Sequence, residues 1–226
     1  MRALESTRDR PKTKIKNMST SQRQDHWQNV YHTKSEHEVS WFQETPEVSL
    51  EMIRSVEVST GASIIDIGGG SSRLVDCLLD SGFTSISVLD LSENALEASQ
   101  ARLGARSADV DWIVADVTAW QPSRTYDLWH DRAAFHFLTD KGDQAAYAEC
   151  VHKAVKQGGF VIIGTFAPDG PERCSGMPVV RHDAVSLMNT LGNSFVLLNS
   201  LNHNHLTPGG TVQKFQFSLF RREPVK

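Results

Sequence analysis

The residues with the most chemical potential fall in one run, Asp66-Ile67-Gly68-Gly69-Gly70-Ser71-Ser72-Arg73. Three successive glycines let backbone approach a ligand with no side chain in the way. Leu74, Val75, Leu78 and Leu79 follow at helical spacing, so the glycines lead into a helix N-terminus with free N–H groups. Asp66 stands just before them and can accept hydrogen bonds or pair with a cation. Asp90, Asp116 and Asp131 each close a short apolar run. A carboxylate only accepts hydrogen bonds, so these groups suit ligand hydroxyls and amines. Taken singly, each is as readily a turn residue or a helix cap. Four such residues at corresponding strand ends, behind a glycine turn, point to one ligand site.

Other reactive side chains cluster later. His130, Asp131, Arg132 and His136 follow the fourth apolar run. His130 can take a proton near neutral pH, or can simply be satisfied by a hydrogen bond beside a sheet. Arg132 can hold a carboxylate or pair with Asp131. Cys174 lies in the Pro/Gly-containing loop 167–176, as a reactive thiol, a contact for a soft acceptor, or neither. His203 and His205 alternate along one strand; without a third ligand they do not make a metal site, no metal is expected, and exposure to solvent is the simpler reading. Near the N-terminus Trp27, Val30, Tyr31 and Lys34 lie on one helical face, followed by Trp41-Phe42-Gln43. This segment, 25–45, is either a helix packed on the core or a lid over a ligand.

The elements that would position these groups read from periodicity. Strands are expected around 64–67 and at 85–90, 110–116, 126–131 and 160–166, with helices at 46–56, 71–79, 93–102 and 143–156. Ser92 is placed to cap the helix at 93–102. A further helix falls within 179–191. Strands at 195–201 and 212–222 flank the turn Thr207-Pro208-Gly209-Gly210. Alternating strands and helices imply a parallel sheet covered on both faces, and the final pair implies an antiparallel edge hairpin. The expected fold is thus α/β, a three-layer sandwich around a doubly wound, mostly parallel seven-stranded sheet.

Asp66-Ile67-Gly68-Gly69-Gly70 resembles the D-x-G-x-G motif of class I methyltransferases, which use S-adenosylmethionine. The competing dinucleotide motif G-x-G-x-x-G, and with it an NAD-dependent oxidoreductase, would need glycine where Arg73 stands. The W-x-x-x-Y-x-x-K…W-F-Q layout from Trp27, the runs Gly68 to Ser72 and Leu89-Asp90-Leu91-Ser92-Glu93, and His130-Asp131-Arg132 are similar to the elongation-factor lysine methyltransferases. The N-terminal segment is more loosely similar to the thiopurine methyltransferases. The resemblance covers roughly residues 27–166. It implies that Asp90 holds the ribose hydroxyls, with Leu91 beside it. Asp116 would lie at the adenine amino group, with Val117 giving backbone contact. Asp66, Gly68, Gly69, Gly70, Ser71 and His130 would border the same cofactor, and Trp41 and Phe42 would belong to a lid closing over it. His130, Asp131, Arg132 and Cys174 become candidates for the acceptor side. Arg132-Ala133 replaces the Lys-Gly of the D-K-G-T run usual in those relatives. The expected activity is methyl transfer to a small molecule, with a protein lysine as the alternative and a non-catalytic cofactor-binding protein as a more distant one.

Composition bounds the rest. At 226 residues and a formal net charge of −4, a single domain with a sizeable core is expected, and nothing favours nucleic acid as a partner. There is no long apolar run to cross a membrane. Cys77, Cys150 and Cys174 lack C-x-x-C spacing and read as reduced thiols of a cytoplasmic protein. Residues 1–24 are polar and basic without an apolar h-region, so they read as a disordered tail, or as a stretch ahead of a start at Met18, rather than a secretory signal.

Overall fold

A computed structural model of the chain describes residues 19–223. Seven strands form its main sheet: β1 (Ser63–Ile67), β2 (Ser85–Asp90), β3 (Val110–Val114), β4 (Tyr126–Arg132), β5 (Val155–Phe166), β6 (Phe195–Leu206) and β7 (Val212–Arg222). Six α-helices accompany them: α1 (Thr20–Thr33), α2 (Glu47–Ser55), α3 (Leu74–Asp80), α4 (Glu93–Leu103), α5 (Lys141–Ala154) and α6 (Ala184–Leu191). The strand order is β3-β2-β1-β4-β5-β7-β6. The first five strands are parallel, β7 enters antiparallel to β5, and β6 closes the edge. This is the expected doubly wound sheet with its hairpin. Among the described residues no helix is long and apolar enough to cross a membrane.

Each face of the sheet buries its own layer. Alternate side chains of one strand point to opposite faces, so Ile64 and Leu128 join α2, α3 and α4 in one apolar cluster. Ile65, Ile67 and Trp129 join α5 and α6 in the other. β1 is buried along its whole length, as a central parallel strand requires.

Three expectations change in detail. The third strand was expected to reach Asp116 but β3 ends at Val114, and the Asp116 carbonyl accepts from the N–H groups of Ala119 and Trp120 in a single turn. β5 starts at Val155, and residues 156–159 bulge out between its pairs Tyr126–Val155 and Leu128–Phe160, so Gly158-Gly159 is a bulge inside the strand and not a turn ahead of it. The tail was expected to run to Gln24. However, α1 begins at Thr20 under a capping box made by Ser19 and Gln22, which satisfies N–H groups that a helix start leaves open. The rest of that expectation, residues 1–18, lies outside the described residues.

Candidate functional site

β1 delivers Asp66 and the glycine turn to the carboxyl edge of the sheet, where open α/β sheets bind ligands. The Gly68 and Gly69 N–H groups both donate to the Leu89 carbonyl, at 2.7 and 3.3 Å. Gly68 has φ +64, and a Cβ there would stand 2.7 Å from the Ala134 Cβ. Gly70 has φ +28, and its Cβ would stand 2.6 Å from Oδ2 of Asp90. Side chains are thus excluded both by conformation and by space. α4 steadies the turn from behind: Ser99 Oγ donates to the Gly70 carbonyl at 2.7 Å, and Arg102 donates to the carbonyls of Ser71 and Ser72. Ser71 is buried, and Ser71 to Arg73 belong to the turn, since α3 begins only at Leu74.

Asp90 ends β2 and is buried. Its Oδ1 accepts from the Ser92 N–H at 2.8 Å. Burial pushes its carboxyl up to about 7, against the pull of the Ser92, Leu91 and Gly70 N–H groups. Asp116 lies two residues past β3. Its Oδ1 accepts from Thr118 N and Oγ1, and its Oδ2 pairs with Arg23 at 2.9 Å. Burial alone would raise this carboxyl, but the Thr118 and Arg23 donors hold it below the usual value.

The cleft between these carboxylates contains Gly68, Leu91, Val117, Ala133 and Ala134, and it encloses about 770 Å³ including its open mouth. α1 covers it, with Arg23, Trp27 and Tyr31 in its wall. Trp27 packs edge-on against Trp41 and Phe137, with ring centroids 5.6 and 5.0 Å away. A narrower recess continues along Gly68, Gly69 and Ser71 to Trp41, Phe42, Asp66 and His130. Arg73, the residue that breaks the dinucleotide pattern, pairs with Glu36 at 2.6 Å and Glu44 at 2.7 Å. It thereby ties the covering segment to the glycine turn.

The acceptor-side candidates do not stay together. His130 and Arg132 share one face of β4, and Asp131 points to the other. There Asp131 is fully buried, accepts from Tyr147 Oη at 2.8 Å and from the Ala134 and Phe135 N–H groups, and caps the turn after β4. It borders neither cavity, so its expected acceptor role is corrected to a structural one. It also cannot be the partner of Arg132. His130 keeps its place beside the recess, but Nδ1 bonds Asp66 at 2.7 Å and Nε2 bonds Ser49 at 2.8 Å. Both nitrogens are occupied, as the satisfied-histidine reading expects. Cys174 does reach the cleft wall, seated by a short ladder between Arg173–Cys174 and Met177–Pro178. Burial pushes its thiol up to about 11, which argues against the reactive-thiol reading among the three. His205 is buried, with Nε2 on the Ser40 carbonyl at 2.8 Å, not exposed.

Arg23, Phe137 and Ser49 were not singled out from sequence. Arg23, Trp27 and Tyr31 stand at i, i+4 and i+8, so extending the aromatic stripe one turn toward the N-terminus would have reached Arg23.

Comparison with known proteins agrees with this architecture. A family model described as a methyltransferase domain matches residues 64–159. Two curated relatives are similar. Malonyl-[acyl-carrier protein] O-methyltransferase 2 of Ilyobacter polytropus is 26% identical over 47% of this chain. Trans-aconitate 2-methyltransferase of Rhizobium rhizogenes is 28% identical over 39% of this chain. The matches span 40% and 33% of those proteins' own lengths. Among solved structures, the 1,6-didemethyltoxoflavin-N1-methyltransferase of Burkholderia thailandensis superposes with TM-score 0.72 at 18% identity, covering 89% of this chain and 88% of that one. The N-methyltransferase NodS of Bradyrhizobium japonicum superposes with TM-score 0.68 at 13% identity, covering 88% and 100%. Residues 64–159 thus match a methyltransferase-domain family, and the whole sheet has the class I methyltransferase fold.

Proposed function

We propose that this protein binds S-adenosylmethionine and transfers its methyl group to a small-molecule acceptor. The observation that carries the reading is the pair of carboxylates, Asp90 and Asp116, facing one covered cleft behind the glycine turn. The residues fit the cofactor. Asp90 would accept from the ribose hydroxyls and Asp116 from the adenine amine, with Leu91 and Val117 as apolar walls for the base. The space kept open by Gly68 and Gly70 admits the backbone side of the ligand. Bound there, the cofactor supplies an electrophilic methyl group on a sulfonium centre. The protein's part is to orient the two partners and exclude water. Trp27, Tyr31 and Trp41 serve that task as a lid, and residues 19–223 act as one domain.

Two comparisons support the small-molecule choice. One curated relative is named for trans-aconitate, and the Burkholderia structure holds 1,6-didemethyltoxoflavin and S-adenosylhomocysteine. The cleft's lining also supports it, because Trp27, Trp41 and Cys174 add apolar wall suited to a small acceptor. The test is incubation with methyl-labelled S-adenosylmethionine and cell lysate, then separation of protein from metabolites. Label in the low-mass fraction is expected; label confined to a protein band would contradict the acceptor class.

A further inference from the structure

Arg132 brings a positive charge to the cleft wall that no contacting carboxylate balances. Its Nη1 donates to the Trp41 carbonyl at 2.9 Å, and its guanidinium lies over the Phe215 ring, 4.9 Å from the centroid. Nε and Nη2 are buried and have no partner. Among the described residues no carboxylate forms an ion pair with it, since Asp131 lies across the sheet and Asp66 is taken by His130. Burial lowers the group only to about 10, so it is charged at neutral pH. A buried charge without a partner is strongly unfavourable. A guanidinium with two adjacent free N–H positions matches the fork of a carboxylate.

The other titratable groups beside it are all engaged or raised. His130 is bonded at both nitrogens. The Cys174 thiol is pushed up to about 11, and burial beside Asp90 raises the Tyr31 hydroxyl. Asp116 is paired with Arg23, and Asp90 is turned toward the Ser92 N–H at the nucleoside end. An acceptor whose nucleophilic lone pair is already free, as a carboxylate's is at neutral pH, asks none of these groups to take a proton.

We propose that the acceptor is a small dicarboxylate, with one carboxylate seated on Nε and Nη2 of Arg132 and the other converted to a methyl ester. This rests on the methyl-transfer reading above. Two carboxylates are required because the one that reacts loses its charge. A guanidinium on that same group would favour the starting state over the transition state. The free carboxylate oxygen forms its bond to the methyl carbon as the sulfur–methyl bond breaks. The bonding pair stays on sulfur, which becomes a neutral thioether, and no proton moves. Trp27, Trp41 and Phe137 line the space for the carbon skeleton.

The experiment uses the full chain, methyl-labelled S-adenosylmethionine, and either a metabolite extract or a panel of succinate, glutarate, fumarate and itaconate with matched monocarboxylates. Methyl esters are read as labelled methanol released by mild alkali. Esters of a dicarboxylate are expected, with matched monocarboxylates at least roughly 100-fold poorer, as for a site whose buried polar group loses its partner. Arg132→Gln should lower kcat/KM for the dicarboxylate by a similar factor and leave S-adenosylhomocysteine affinity within about twofold, and Arg132→Lys should recover part of the loss. Alkali-stable label, equal use of monocarboxylates, or no ester from extract or panel would overturn the proposal. So would a fall in S-adenosylhomocysteine affinity in a folded Arg132→Gln, which would give Arg132 to the cofactor's own carboxylate. Titration of the unmutated protein with S-adenosylhomocysteine separates the two claims: binding without ester formation sinks only the dicarboxylate, whereas absence of binding sinks the methyl-transfer reading itself.

Discussion

At the scale of single residues, Asp90 sits close to the midpoint of its own titration. Its folded pKa of about 7 lies above the ordinary value of 3.8. The folded state therefore holds this proton more tightly than the unfolded chain does. The stabilising contribution is complete below the ordinary value and is lost as pH rises through about 7. Asp131, raised by burial to about 6, acts in the same direction. Ligand binding has the opposite sign, because ribose hydroxyls donate best to the ionised carboxylate. S-adenosylhomocysteine affinity should rise up to roughly tenfold between about pH 6 and 8, and the rise should vanish in Asp90→Asn. Calorimetric titrations across that range check this, and a flat profile for the unmutated protein would remove Asp90 from the cofactor site. At pH 8, Asp90→Ala should weaken binding by roughly 1–3 kcal/mol, the cost of leaving the ligand's donors unpaired.

At the scale of elements, α1 is held by polar contacts at both ends of the cleft. Arg23 joins Asp116 to Asp143, and Gln28 accepts from Ser92 Oγ and the Asn94 N–H. Arg23 is largely buried, so its pairs are screened less than surface pairs. Arg23→Ala should loosen α1, speed proteolysis within 20–33, and lower S-adenosylhomocysteine affinity while the sheet keeps its melting behaviour. Unchanged cleavage and unchanged affinity would mean that α1 is a fixed part of the core and not a lid. What could be read at this scale depended on periodicity. β2 and β7 and the Ser92 cap are where the alternation and the cap signal put them. The turn 115–125 and the bulge 156–159 were not legible, because each is settled by backbone pairing with distant strands. His130, Asp131 and Arg132 read as one cluster because they are consecutive. The two-residue period of a strand separates Asp131 from its neighbours, and that period was available in the sequence.

At the scale of the whole molecule, the two faces of the sheet do different work. The α5–α6 face carries a polar chain buried in its apolar layer: Trp129 Nε1 donates to Tyr147 Oη at 2.9 Å, which donates to Asp131 at 2.8 Å. Tyr147→Phe should cost about 1–3 kcal/mol in denaturant unfolding by leaving Trp129 Nε1 unsatisfied and taking one donor from Asp131. It should also leave cofactor affinity unchanged, since the chain lies across the sheet from His130 and Arg132. A parallel loss of affinity would show the two faces to be coupled. The parallel sheet with its antiparallel edge hairpin was legible because it follows from alternation, and Asp90 and Asp116 were legible as neighbours in one cleft because both follow strands of that sheet. The pairing of Arg73 with Glu36 and Glu44 was not, because it joins residues 37 and 29 apart, yet it is the feature that converts a failed dinucleotide motif into an anchor for the covering segment. The most direct test of the account is calorimetric titration of the full chain with S-adenosylhomocysteine and, separately, with NAD. One site for S-adenosylhomocysteine, abolished or weakened in Asp90→Ala, and no heat with NAD are predicted; binding of NAD with no binding of S-adenosylhomocysteine would contradict the account at its centre.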